Sequence, residues 1–389
     1  MMVRVLIFIG HYPPARRIGG PARSVASMVE GNPSCEFHIF TSETDFKSKS
    51  TLEGISVDHW QERGRARVLY ASARRRRLWH LRRVVYRIAP DIIYLNGVFS
   101  RRFTMPVLFL RYLGLIPRSP VILAPRGEFS AGAIGLKKVR KGLYLRLARA
   151  LGLSRGVVWH ACSDEEVDAI RREQGRDVPV VKAANFPPTP RPDALARHAA
   201  KGGPGCRLVF LSRISAKKNL LGALEALARV RATVTLDIYG PIEDREYWAR
   251  CEACRRGLPE NVTVTYRGEV HPEEVFAVFA AYDALFLPTL GENYGHAVVE
   301  AWAAATPVLL SDRTPWRDLE QDRAGWTAAP DDADSFAARI DQLAAMTESE
   351  HESWREGAFA RAKRLAQDES LVASYARLFE AALARGQGG

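Results

Sequence analysis

Pro288-Thr289-Leu290-Gly291-Glu292-Asn293-Tyr294-Gly295-His296-Ala297-Val298-Val299-Glu300-Ala301-Trp302 follows the apolar run Ala284 to Leu287, and this hand-over decides the fold. The short run reads as a buried strand, while Ala297, Val298, Ala301 and Trp302 recur at helical spacing. A strand that gives way to a helix through a glycine-bearing turn is the repeating unit of a parallel α/β sheet. In such a sheet the turn lies at the carboxyl edge, where ligands bind, and the new helix offers free backbone N–H groups to an anion. Glu292 and Glu300 bracket the turn. Eight residues of helix separate them by about 12 Å of rise.

The same alternation extends in both directions. Strands are expected at Val3 to Ile9, Phe37 to Thr41, Asp91 to Leu95, Val121 to Ala124, Val157 to His160 and Val178 to Val181. Helical patterns near 71–88, 101–113, 137–151 and 163–174 separate most of them. A second set runs from Arg207-Leu-Val-Phe-Leu211 through strands near 233–239, 262–266, 284–287 and 307–310 to long helices near 332–346 and 351–383. Both sets predict a doubly wound parallel sheet. Pro187, Pro188, Pro190 and Pro192, then Lys201-Gly-Gly-Pro-Gly205, read as the linker between them. A chain of 389 residues suits two domains. The expected division is a first domain over 1–190, a linker over 191–206, a second domain over 207–365 and a closing helix over 366–389.

Hydrophobic content of 47% with 26% charged residues excludes a disordered or fibrous chain. The net charge of +12 is uneven: residues 1–190 hold 32 Lys+Arg against 15 Asp+Glu, and residues 191–389 hold 24 against 29. A basic first half suggests a polyanionic partner there. Arg74 to Arg77, followed by Arg82, Arg83 and Arg87, reads as a solvated helix face. A second cluster, Lys137, Lys138, Arg140, Lys141, Arg146 and Arg149, is interleaved with Leu143, Leu145 and Leu147. Together they suit an anionic membrane surface or a pyrophosphate-lipid. A nucleic-acid partner is not expected: no such module is recognisable and stacking aromatics do not interleave the basic residues. Cys251-Glu-Ala-Cys254 has CxxC spacing without a second pair, so packing is its reading. No signal-peptide layout opens the chain, and the run Phe103 to Ile116, broken by Arg111, is too short to span a bilayer. The expected location is cytoplasmic, at most peripheral to the inner face of the membrane.

Charge for an anion comes from Ser212-Arg213-Ile-Ser-Ala-Lys217-Lys218-Asn219, at the end of the first strand of the second set. Arg213 and Lys218, five apart across a strand-to-helix loop, can grip one diphosphate, the first as a planar fork and the second as a point charge. A plain basic turn before a helix is the competing reading. In the first domain, His11 and the paired Gly19-Gly20 follow the first strand, where glycine lets backbone approach a ligand closely. An ordinary βα turn explains that feature as well.

Taken together, Arg213-x4-Lys218, Glu292-x7-Glu300 and the following Ala301-Trp-Ala-Ala-Ala-Thr-Pro307-Val308 resemble the retaining glycosyltransferases of family 4. The Gly19-Gly20-Pro21 turn and the C-terminal helices fit as well. The resemblance implies the GT-B fold: two Rossmann-like domains facing a cleft, with a C-terminal helix returning to the first. It further implies a nucleotide-sugar donor in the second domain and a glycan acceptor, lipid-linked, in the first. Arg213 and Lys218 would hold the diphosphate, Glu300 the ribose and Glu292 the sugar hydroxyls. The backbone from Asn293 through Tyr294 to Gly295 would support sugar and phosphate. His296, beside Gly295, reads either as lining the donor site or as a capping or packing histidine at the helix start.

One departure stands out. Relatives carry a histidine in a turn of the first domain where Pro125-Arg126-Gly127-Glu128-Phe129 has arginine. Arg126 has no useful basic form at neutral pH, but it can stabilise phosphate; an ion pair with Glu128 inside the loop is the alternative. No metal or other cofactor is expected: Asp331-Asp332-Ala333-Asp334 precedes a helix, where acids cap and complement the dipole. Two rival functions share these observations, a nucleotide-sugar epimerase of the same fold and, from the pI of 9.6, a nucleic-acid-binding protein.

Overall fold

A computed structural model describes residues 2–15, 20–46, 48–129, 138–197, 201 and 205–386, with only the backbone over 138–141. Two compact units form, Met1–Phe186 with Glu369–Gly389, and Pro187–Asp368. Gly19 and Lys137 lie outside the described residues, as do 198–200 and 202–204 of the expected linker.

The first unit is built on β1 (Val3–Phe8), β2 (Cys35–Ser42), β3 (Trp60–Arg63), β4 (Ala66–Ala71), β5 (Ile92–Asn96), β6 (Val121–Ala124), β7 (Val157–Ala161) and β8 (Val180–Lys182). Their order is β3-β4-β2-β1-β5-β6-β7-β8, parallel except for the antiparallel β3 edge. Central strands such as β5 and β7 are buried along their whole length, as the continuous apolar runs require of a sheet covered on both faces. Helices 78–88, 104–112, 138–150 and 164–174 cover one face, where Leu81, Val85, Val107, Leu145 and Ile170 meet Leu95, Leu123 and Trp159. Helices 20–31 and 370–386 cover the other, with Val25, Met28, Tyr375, Leu378 and Phe379 against Val5, Ile39 and Tyr94.

The second unit holds β9 (Cys206–Leu211), β10 (Val234–Tyr239), β11 (Val262–Gly268), β12 (Ala284–Leu287), β13 (Val308–Ser311) and β14 (Gly325–Ala328). All are parallel, in the order β11-β10-β9-β12-β13-β14. In each sheet the winding reverses once, between β1 and β5 and between β9 and β12. The loops that leave those strands therefore diverge, at the position where parallel α/β sheets characteristically receive ligands.

Three sequence expectations need correction. The basic segment from Ala71 is not helical until Leu78, because Ser72 to Arg77 form a turn anchored on Asp58 and Glu43. The pattern over 351–383 is two helices, Glu348–Ala366 and Ser370–Gly386, the second belonging to the first unit. Strands β3, β4 and β14 were not anticipated. β3 and β14 are short edges, and β3 is too polar to stand out from a loop.

Candidate functional site

The loops after β9 and β12 carry the residues singled out in the second unit, and they are tied into one platform. Asn219, in the left-handed region at φ 58, caps the helix Leu220–Leu227 and sends its amide to the carbonyls of Pro288 (2.9 Å) and Pro330 (3.0 Å). The Lys217 carbonyl accepts from Leu290 N at 2.9 Å and from Thr289 Oγ1 at 3.0 Å. Glu292 N in turn donates to Arg313 O at 3.1 Å.

On this platform Lys218 Nζ and Glu292 Oε1 form an ion pair whose side chains are only 14% and 11% exposed. The two residues, expected to address different parts of a ligand, meet each other directly. Arg213 is exposed and donates through Nη1 to both carboxylate oxygens of Glu243, at 3.1 and 2.8 Å. Lys217 was not singled out in the sequence, although it adjoins Lys218. Burial holds its ammonium below the usual lysine range; nearby Glu292 opposes this, while Lys218 and Arg213 add to it. Three cations thus converge on one strand-end loop, the crowding expected where an anion is to be received.

The helix His296–Ala303 starts at Gly295, which sits at φ 80 with its Cβ position 3.2 Å from Val298 Cγ2. Any other residue there is strained. The Tyr294 carbonyl accepts from Trp316 Nε1 at 2.6 Å, and Tyr294 packs edge-on against His296 at 5.1 Å. Trp302, fully buried, donates to Ala324 O at 2.9 Å and anchors the far end of the helix. Glu300 is part-buried on the same helix. Asn293 lies in the turn between Glu292 and this helix.

In the first unit, Arg126 occupies the left-handed region at φ 55 at the end of β6. Its guanidinium donates to Asn96 Oδ1 (3.0 Å), Cys162 Sγ (2.9 Å), Asn185 Oδ1 (2.9 Å) and the Tyr94 hydroxyl (2.8 Å). It therefore joins the carboxyl ends of β5 and β7 to the segment after β8. His160 Nε2 contacts the Ala183 carbonyl at 2.8 Å, an acceptor only, so Nε2 carries the proton. Nδ1 then accepts from the Tyr94 hydroxyl at 2.6 Å, and that oxygen accepts from Arg126. Burial, reinforced by the Arg126 charge, lowers the His160 pKa to about 3, and burial pushes the Cys162 thiol up to about 12. Both groups are neutral at pH 7. The turn is clamped by two further carboxylates. Glu166 accepts from Gly127 N (2.6 Å) and Cys162 N (2.8 Å), and Glu128 accepts from Val98 N (2.5 Å) and Phe99 N (3.1 Å). Ser163-x-x-Glu166 has capping-box spacing, which announces the helix start but not the reach to Gly127. His11 lies beyond β1, donating from Nδ1 to Thr44 O at 2.9 Å, and Gly20 opens the helix Gly20–Gly31.

Residues 197–361 match the family model described as Glycosyl transferases group 1. The O-antigen chain mannosyltransferase B of Escherichia coli is 30% identical over 159 residues; this spans 39% of the chain and 39% of that protein. Among solved structures, a sucrose-phosphate synthase from Thermosynechococcus elongatus superposes with a TM-score of 0.72 at 16% identity, covering 97% of this chain and 98% of the other. HepE from Anabaena, in complex with UDP and glucose, gives 0.68 at 16% identity over 97% and 99%. WaaG, described as a glycosyltransferase involved in lipopolysaccharide biosynthesis, gives 0.61 at 15% identity over 99% and 100%. At such identities the structural likeness speaks for the fold. The chain has the GT-B fold of two Rossmann-like α/β units, and its residues 197–361 are similar to the Glycosyl transferases group 1.

Proposed function

We propose that the chain is a retaining, metal-independent glycosyltransferase. It moves a hexosyl or related sugar from a nucleotide-sugar to a glycan acceptor, lipid-linked, in surface polysaccharide synthesis. The observation that carries this reading is the Lys218–Glu292 pair beside Arg213 at the β9/β12 switch point, inside the matched segment. Both carboxylate partners stand where a diphosphate would take over. Arg213 and Lys218 exchange Glu243 and Glu292 for phosphate oxygens and stabilise the departing nucleoside diphosphate, the electrostatic task a metal would otherwise perform. Glu292, released, turns to the sugar hydroxyls, and Glu300 holds the ribose. Because HepE is described with UDP and glucose, UDP-sugars are the first donors to try.

The lipid-linked acceptor is supported by the surface of the first unit. Trp79, Arg83 and Tyr86 lie along the outward side of helix 78–88, Phe109 and Tyr112 along that of 104–112 with Leu113 just past its end, and Leu143 and Leu147 along that of 138–150 with Leu151 just past its end. All three helices cover the same sheet face. Between Ala71 and Gly127 there are twelve arginines and one acid, Asp91. Apolar stripes in a basic field suit an anionic membrane interface. No helix among the described residues is long and apolar enough to cross a membrane.

The test is release of nucleoside diphosphate from a panel of nucleotide-sugars in the presence of membrane glycolipid. Lys218→Ala and Glu300→Ala are each expected to lower turnover at least about a hundredfold, the scale of one lost electrostatic contact in a transition state, while the protein stays folded by circular dichroism. Full turnover in either variant removes the site assignment. An epimerised nucleotide-sugar formed without acceptor would replace transfer by epimerisation.

A further inference from the structure

The sequence reads Arg74 to Arg77 as a solvated face, yet the structure separates one arginine from the other three. Arg74, Arg75 and Arg77 are exposed, whereas the Arg76 side chain is 7% exposed. The turn after β4 turns it inward: Arg75 N and Arg76 N bond to Ser72 O, and Ser72 is held by Asp58 through its amide and hydroxyl, both at 2.8 Å. Arg76 lies by the ends of β2 and β1, with Nη1 donating to Ser42 Oγ at 2.6 Å. That is its one hydrogen bond among the described residues. Among the described residues Nε is buried without a partner, and the nearest carboxylate oxygen, Glu43 Oε1, is 3.9 Å from Nη2 and already accepts from Ala73 N.

A guanidinium has five donors, and burying it under-bonded costs several kcal/mol unless something compensates. Here the surroundings add to the burden. Burial and then the neighbouring charge of Arg102 push the Arg76 pKa down, with Glu43 and Asp58 opposing. His11 stands close enough to feel the Arg76 charge, and its Nδ1–H is spent on Thr44 O, which leaves Nε2 as an acceptor. Asp58 is occupied by Ser72, and Asp45 accepts from Phe46 N at 2.7 Å. A buried, under-paired cation beside a second one, at the ligand-binding edge of a parallel sheet, is the arrangement of a site whose counter-charge arrives with the ligand.

We propose that Arg76, Arg102 and His11 form an anion-binding site at the carboxyl edge of β1, β2 and β4. It takes a phosphate or carboxylate group carried by the acceptor, with His11 Nε2 accepting from an adjacent hydroxyl. This rests on the reading of the first unit as the acceptor side, and it names the acceptor as anionic.

The experiment uses the full chain in a Lys218→Ala background, which disables the donor site, so phosphate binding is read apart from donor binding. Inorganic phosphate and glucuronate, each matched for ionic strength against chloride, are titrated by thermal shift and calorimetry. Stabilisation by phosphate is expected, and Arg102→Gln should weaken it at least tenfold. A response to phosphate alone assigns a phosphorylated acceptor, and a response to glucuronate alone an acidic sugar. Arg76→Gln should abolish binding while leaving Tm unchanged or higher, because an under-paired buried charge has been removed; a purely structural arginine would lower Tm. Equal stabilisation by chloride, or phosphate binding unaltered in Arg102→Gln, overturns the site. Phosphate binding intact in a chain whose wild-type form transfers no sugar would instead count against the reading as a glycosyltransferase.

Discussion

Lys218 and Glu292 show how far single residues can be read. Their spacing marked them as members of one site, but only the fold shows that they neutralise each other at a strand-end loop. Glu243, which holds Arg213, carried no signal at all, because its partner comes from a loop thirty residues away. Arg126 was legible as a substitution for histidine, but its hydrogen-bond partners were not: Asn96, Cys162, Asn185 and Tyr94 come from separate elements. The same network gives a pH prediction. The His160 pKa is depressed from 6.5 to about 3, so the folded unit binds fewer protons than the unfolded chain below 6.5. Its contribution to stability is complete above that pH and is lost as the pH falls toward 3. His160→Gln should lower Tm at pH 7 and flatten the decline of Tm between pH 6.5 and 4. Parallel profiles for variant and parent would show that His160 is not the titrating group.

At the scale of elements, the strand-then-helix alternation made both parallel sheets legible, because central strands are continuous apolar runs. The short edges β3 and β14 were missed for the same reason: a half-exposed strand of four residues has no such run. The platform formed by the β9 and β12 loops depends on a contact that no periodicity reveals. Gly240 sits at φ 134 at the end of β10, and a Cβ there would lie 1.9 Å from Ser212 O. That close approach lets Ile214 N bond Pro241 O at 2.9 Å and Glu243 N bond Ile214 O at 3.1 Å, which sets Glu243 against Arg213. Gly240→Ala should destabilise the second unit by at least ~1–3 kcal/mol from backbone strain, and should weaken nucleotide binding in whatever folded protein remains. Calorimetric unfolding with wild-type stability would show that the two loops are not packed as described.

For the molecule as a whole, the uneven charge is accompanied by an uneven distribution of exposed apolar side chains. Among the described residues, most of the exposed large apolar side chains sit on three helices of the basic unit or one residue past their ends, whereas the mildly acidic half carries the matched family segment. Substituting Trp79, Leu143 and Leu147 together by serine should reduce co-sedimentation with anionic vesicles several-fold and leave nucleotide binding intact, since these side chains add nothing to the core. Unchanged sedimentation would separate the basic surface from lipid. The central claim is that the β9 and β12 loops hold the diphosphate of an activated sugar, and donor binding measures it most directly. Calorimetric titration of wild type, Lys218→Ala and Glu300→Ala with UDP-, GDP-, ADP- and dTDP-sugars should show one nucleotide class binding the wild type and at least a tenfold weaker affinity in each variant. Binding of no nucleotide-sugar by the folded wild type, or equal affinity in Lys218→Ala, would contradict it.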